Sequence, residues 1–357
     1  LIAITWMVMV AAHENVIVGY FPEWSEIDVS TFDFGKLTHI NYSFGKFDEQ
    51  NLMPSVGNSA LLGRVVDAAH KFNCKVLVSL GGGSGSAFFS PIMANPTIRS
   101  KFANNVHRFI NDNRLDGIDI DWEYPGQPIA EGNKYDKEDS NNFILFLNEL
   151  RDLIGNEKLI TIAVGSTIYV GQTDLSKYGQ VLDFINIMAY DMNYFTSPKS
   201  GPNGGLDYEE GKGAQSSVKS SVKAWNGAGI PNDKLVIGLP FYGIISQVKE
   251  NLDASTGMYA NRVEGTGDAL TYADIKKKAL SSSTEADISK GWTRYFDQIT
   301  QTPWLFNKQS KTLICYDDIQ SLVVKSQYVL NNGLRGVMIW SLNQDFNSEL
   351  LNSVQIV

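Results

Sequence analysis

The stretch LDGIDIDWEYPG at 115–126 sets Asp119, Asp121 and Glu123 in alternation with Ile118, Ile120 and Trp122. Successive side chains of an extended chain point to opposite faces. The three acids therefore share one face, each about 7 Å from the next, and the bulky apolar groups share the other. On an exposed sheet such a row of like charges would weaken strand pairing, so a solvated polar face is a poor reading. A calcium site fits no better, because Ca2+ takes about six to eight oxygens from a wrapping loop and a straight strand cannot wrap. Inside a barrel, stacked carboxylates at graded depth do something else. The deeper ones push their pKa values apart and leave the outermost protonated near neutral pH. Glu123, last on the strand and longest in reach, is where a general acid belongs.

The same β-rich character recurs along the chain in VIVGYF (16–21), LTHINYSF (37–44), KVLVSLGG (75–82), LITIAVG (159–165), DFINIMAY (183–190), KLVIGLPFY (234–242) and GVMIWSL (336–342). With 117–123 that makes eight runs. Helical patterns lie between several of them. Leu61, Leu62, Val65, Val66 and Ala69 share a face, as do Ile98, Phe102, Val106, Phe109 and Ile110 after the capping pair Asn95-Pro96. Phe143, Phe146, Leu147, Leu150 and Leu153 repeat the pattern between Ser140 and Gly155. Strand and helix in alternation call for parallel strands with crossover helices, and eight units point to a closed (β/α)8 TIM barrel with its site at the carboxyl ends of the strands. A doubly wound open sheet is the competing architecture, but no G-x-G-x-x-G opens a helix after the first strand. The gap of about 90 residues before the last strand is far longer than a βα unit of roughly 30, and predicts a small α+β lobe inserted at 244–320 between strands seven and eight. The barrel is then 13–243 together with 321–357. GGGSGS (81–86) lacks the Lys-Ser/Thr of a phosphate loop and reads as a tight turn at the barrel mouth.

A hydrophobic content of 43% with 19% charged residues describes a globular chain with a substantial core. The net charge of -9 repels phosphate backbones, so no nucleic-acid partner is expected. The first dozen residues, LIAITWMVMVAA, match a signal-peptide core in length and are too short to span a bilayer. They predict a partial signal peptide at 1–12, hence a protein secreted or held in a secretory or lysosomal lumen, off the membrane once cleaved. A buried first strand extended upstream is the other reading of that segment. Two cysteines, Cys74 and Cys315, exclude a disulfide scaffold. The one N-x-S/T sequon, at Asn41, falls inside a strand-like run and is not expected to carry a glycan.

LDGIDIDWEYPG also fits the D-x-x-D-x-D-x-E signature of glycoside hydrolase family 18, the chitinase family, through Asp116, Asp119, Asp121 and Glu123. VSLGG around Ser79, Gly81 and Gly82 resembles the family's strand-three S-x-G-G, and MAYD at 188–191 its strand-six M-x-Y-D. GYFPEW (19–24), GLPFYG (238–243) and GVMIWSLNQD (336–345) resemble its strands one, seven and eight, and the segment containing CYDDIQS its small α+β lobe. The resemblance runs from about residue 15 to the end.

It implies a monomeric, cofactor-free, metal-free enzyme acting on chitin or chitooligosaccharides. Glu123 would protonate the glycosidic oxygen. Asp121 would hold the N-acetyl group and steady the oxazolinium formed when that group's oxygen attacks the anomeric carbon. Asp119 would be its deeper partner and Asp116 a structural residue. Tyr190 would bond the acetamido oxygen, Asp191 would touch the neighbouring sugar, and Trp340 would floor the distorted ring, with Met188 beside the substrate and Tyr20 and Tyr242 lining the cleft. A substrate that supplies its own nucleophile explains why the acids are stacked on one strand instead of facing each other about 5 Å apart across the sugar. Each aromatic taken alone reads more readily as an ordinary core residue than as a sugar platform; convergence on the ends of separate strands distinguishes them. Gly83 and Ile244 stand where many chitinases carry a sugar-stacking Trp and an Arg, which implies a weaker grip on long crystalline chains. A chitin-binding lectin would keep the cleft but typically replaces the terminal Glu, and Glu123 is present. An endo-β-N-acetylglucosaminidase acting on N-glycans shares the acidic motif, and the inserted lobe favours chitin over it.

Overall fold

A computed structural model describes residues 15–127, 134–169, 174–249 and 257–357. The apolar segment at 1–12 lies outside the described residues.

Eight parallel strands close a barrel: β1 (Val16–Pro22), β2 (His39–Gly45), β3 (Lys75–Gly81), β4 (Gly117–Asp121), β5 (Leu159–Gly165), β6 (Phe184–Met188), β7 (Leu235–Pro240) and a last strand, Gly336–Trp340, that pairs with both β1 and β7. The period-two pattern has the predicted consequence. Ile118 and Ile120 face the helical layer, fully buried, while Asp119 and Asp121 turn into the barrel. Trp122, 2% exposed, is wedged outward between the rings of Phe89 and Phe143 at 5.2 and 5.3 Å, which forces the next residue, Glu123, toward the opposite side. β4 stops at Asp121, so Glu123 stands past the strand end instead of on it.

The helices follow their sequence signals. Leu62, Val65, Val66 and Ala69 form the buried face of helix Ser59–Ala69. Helix Pro96–Asp112 begins on Asn95, whose side chain accepts from the backbone of Thr97 and Ile98, with Pro96 at the first turn. Helix Asp139–Ile154 starts ahead of the expected cap, Ser140, which lies inside it, and ends at Gly155, whose φ of 63° is positive as expected while its ψ of -158° is not that of a left-handed helical residue.

After β7 the chain leaves the barrel. β8 (Tyr242–Gln247), β9 (Asp268–Thr271), β10 (Trp292–Phe296), β11 (Pro303–Asn307) and β12 (Thr312–Cys315) form an antiparallel sheet in the order β10-β11-β12-β8-β9, with helix Tyr272–Ala279 alongside. The last barrel strand, Gly336–Trp340, is therefore β13. Tyr242, expected at the end of a barrel strand, is instead the first residue of β8, because the backbone changes sheet at Phe241, whose N–H bonds Trp340 O at 2.9 Å. At the lobe's return, Arg294 of β10 meets Asp318 at 2.6 Å and the fully buried Lys325 meets Asp317 at 2.6 Å. These pairs, with Asp318 capping helix Ile319–Asn331, pin the lobe to the barrel wall. Cys74 and Cys315 are buried and unpaired. Asn41, 1% exposed, is closed to glycosylation.

Candidate active site

Asp119 lies deepest. Tyr20 and Ser79 hydroxyls each donate to its Oδ2 at 2.7 Å; Thr161 donates to Oδ1 at 2.6 Å and Asn186 to the same oxygen at 3.3 Å. Register explains the convergence: Ser79 and Thr161 sit directly across from Asp119 on β3 and β5. Burial raises the Asp119 pKa, and the four donors pull it back toward the ionised form.

Asp121, one inward step higher, has no such support. Burial, then the charges of Glu123 and Asp119, hold its pKa well above the usual carboxylate range, and its buried Oδ1 has no hydrogen-bond partner among the described residues. Glu123 comes next, partly exposed, pushed up to about 7 by burial and by the charge of Asp191. Asp191 has a left-handed φ of 59°, with its N–H held by Asn203 Oδ1 at 3.1 Å. Burial raises its pKa, and the Tyr242 hydroxyl bonded to its Oδ1 opposes that rise.

These acids open into a cavity of about 330 Å³. Tyr20, Met188, Tyr190 and Trp340 are on its wall with Asp121, Glu123 and Asp191, while Tyr242 reaches the site through Asp191. The Trp340 ring meets Tyr20 edge-on at 5.5 Å and stacks on Phe44 at 5.6 Å, and Phe44 leads outward to Trp24, 59% exposed. Tyr190 Oη points at Met338 Sδ, 4.0 Å away. Gly83 borders Glu123: a Cβ there would stand 3.7 Å from the carboxylate in ordinary contact, so a side chain could be accommodated against the acid. Ile244 is 1% exposed and packs in the barrel-mouth core, away from the cavity wall. Asp116, at the other end of β4, accepts from Val76 N at 2.7 Å and pairs with His70 at 2.8 Å.

Sequence reasoning missed Phe44, Tyr124 and Ser166 on the wall and Thr161 and Asn186 beneath Asp119. A signal for the last two exists. Each is the lone strongly polar residue among apolar neighbours of a barrel strand, and so must face a partner inside. No cluster of metal-ligating residues occurs among the described residues.

The profile described as Glycosyl hydrolases family 18 matches residues 16–345, and the chain belongs to that family. Chitinase A1 of Niallia circulans is 29% identical over 418 residues, covering 97% of this chain and 58% of that protein. This chain thus spans less than two thirds of that relative's length. A chitinase from Rhizomucor miehei superposes with a TM-score of 0.87 at 28% identity, over 96% of this chain and 99% of that one. A family 18 N-acetylglucosaminidase from Paenibacillus barengoltzii does so at 0.83 and 29% identity, with 96% and 99% covered.

Proposed function

We propose that this chain is a chitinase hydrolysing β-1,4 bonds between N-acetylglucosamine units with retention, the substrate's own acetamido group acting as nucleophile. The observation that carries this reading is the graded column of acids: Asp119 saturated by donors, Asp121 with an unpaired oxygen, and Glu123 on the wall where the cavity opens. Glu123 gives its proton to the glycosidic oxygen as the bond to the anomeric carbon breaks. The acetamido oxygen closes on that carbon from the opposite face, and Asp121 accepts the acetamido N–H and faces the positive charge. Glu123, now a carboxylate, takes a proton from the water that opens the oxazolinium. Trp340 supplies the floor, Tyr190 the hydroxyl toward the acetamido oxygen, Met188 packing at the cavity wall, and Asp191 the contact with the adjoining sugar. Tyr20 and Tyr242 act through Asp119 and Asp191. The apolar residues at 1–12 support secretion, and no described helix is long and apolar enough to cross a membrane. We read the enzyme as a monomer needing no metal or cofactor.

Incubation with chitooligosaccharides and, separately, with a high-mannose glycoprotein tests the reading. Chitooligosaccharides should be cut with the β-anomer first, and the glycoprotein left intact; the reverse preference would assign the chain to N-glycan processing.

The pH profile carries a further expectation. The working form of Glu123 is protonated, so kcat/KM should fall as pH rises through about 7. Asp191→Asn removes a negative charge that disfavours the Glu123 anion, so the Glu123 pKa should drop and the alkaline limb should move to lower pH. A limb that stays in place or moves upward would show that Asp191 does not tune the acid.

A further inference from the structure

β4 ends its ladder with β3 at the pair Gly81 and Asp121, so the backbone N–H of Glu123 has no strand partner. It donates instead to Ser86 Oγ at 2.9 Å. Ser86 is 1% exposed, and its own hydroxyl proton is directed at Gly82 O at 2.9 Å, with Asp121 O at 3.3 Å as the second acceptor. The turn that delivers it is tied to the strand end: Gly82 N donates to Asp121 O at 2.8 Å and Gly85 N to Gly82 O at 3.0 Å. Gly81 and Gly82 have φ of 110° and 77°, and a Cβ on Gly81 would come within 2.3 Å of Asp121 O, so the close approach needs glycine.

Building on the reading of Glu123 as the general acid, we infer that Ser86 is its positioning residue: the buried hydroxyl replaces the missing ladder partner and sets the direction in which Glu123 leaves the strand. Trp122 is clamped on the outer side between Phe89 and Phe143, so the backbone between residues 122 and 123 is held from both sides. Removing Oγ leaves a part-buried donor that must go unpaired or turn toward another acceptor, and turning carries the carboxyl group with it.

The test uses leaving groups of different demand. A sugar leaving group needs the proton from Glu123; 2,4-dinitrophenolate does not. Ser86→Ala should lower kcat/KM on a chitooligosaccharide by about tenfold to a hundredfold, the effect expected when a part-buried donor loses its partner and the general acid moves with it. It should change kcat/KM on 2,4-dinitrophenyl chitobioside by less than about threefold, since this parameter reports glycosidic cleavage. Its alkaline limb on the chitooligosaccharide should also shift from that of the parent enzyme. Equal losses on both substrates would mean a merely structural role and overturn the proposal, as would no loss on either. If Ser86→Ala does not fold, Ser86→Cys, which keeps a weak acceptor of similar shape, is read by the same ratio. Glu123→Gln measured alongside separates the two claims. If it too lacks the selective loss, the reading of Glu123 fails; if it alone shows that loss, only the role of Ser86 fails.

Discussion

Glu123→Gln is expected to lower turnover on chitooligosaccharides by about 100-fold to 10,000-fold while the fold and oligosaccharide binding persist. The amide matches the carboxyl group in shape and hydrogen-bonding reach but has no proton to give at neutral pH. Nor should the substitution cost stability. The folded protein holds the Glu123 pKa at about 7, above the ordinary value of 4.5, so ionisation of this group favours the unfolded chain. That penalty is absent below the unfolded pKa, grows as pH rises from 4.5 to about 7, and then stays constant. A neutral amide carries no such penalty, so thermal unfolding at pH 8 should show a variant at least as stable as the parent. Steady-state rates, melting curves and oligosaccharide titration together separate lost chemistry from lost structure. Residual turnover above about a tenth of the parent's would remove Glu123 from the role of acid.

The column of acids is legible because a strand has a period of two and a barrel has an inside. Once Ile118, Ile120 and Trp122 are assigned to the helical layer, Asp119 and Asp121 have only the interior left. Local signals are equally readable where one residue decides one torsion or one cap, as at Asn95 and Gly155. Contact between strands remote in sequence is what escapes. Thr161 and Asn186 reach Asp119 from 42 and 67 residues away, and that meeting is fixed by barrel closure and register, not by any nearby pattern. Tyr242 is misplaced for a related reason. After Lys234 the run KLVIGLPFY carries no charge, and nothing in it marks the change of sheet at Phe241, which the pairing of β8 with β9 and β12 decides. Ser86 reads from sequence as part of a turn; its bond to Glu123 depends on two strands ending side by side.

Asp121 and the substrate's acetamido group form one unit in this mechanism, so they should fail together. Asp121→Asn keeps the volume but removes the carboxyl group that must ionise, against its raised pKa in the free site, to face the oxazolinium, and should lower turnover by about a hundredfold or more. Taking the N-acetyl group from the sugar on the non-leaving side should be harsher still. Glucosamine in that place would keep the ring over Trp340 and most of the buried surface, yet it has no acetamido oxygen to attack the anomeric carbon. Mass spectrometry of products from partly deacetylated chitosan should therefore find N-acetylglucosamine, not glucosamine, at the newly formed reducing ends. Cello-oligosaccharides should resist for the same reason. On the proposed mechanism a thiazoline analogue of the intermediate should bind far more tightly than an oligosaccharide of similar size, because catalysis requires complementarity to the charged ring and not to the ground state. Abundant glucosamine at new reducing ends would require a protein nucleophile or an activated water. Asp119 is saturated by four donors and Asp121 is one inward step from Glu123 on the same chain, so a protein nucleophile would have to be Asp191, the remaining carboxylate among the described residues of the cavity wall, and Asp191→Asn would then abolish cleavage instead of only moving its pH profile.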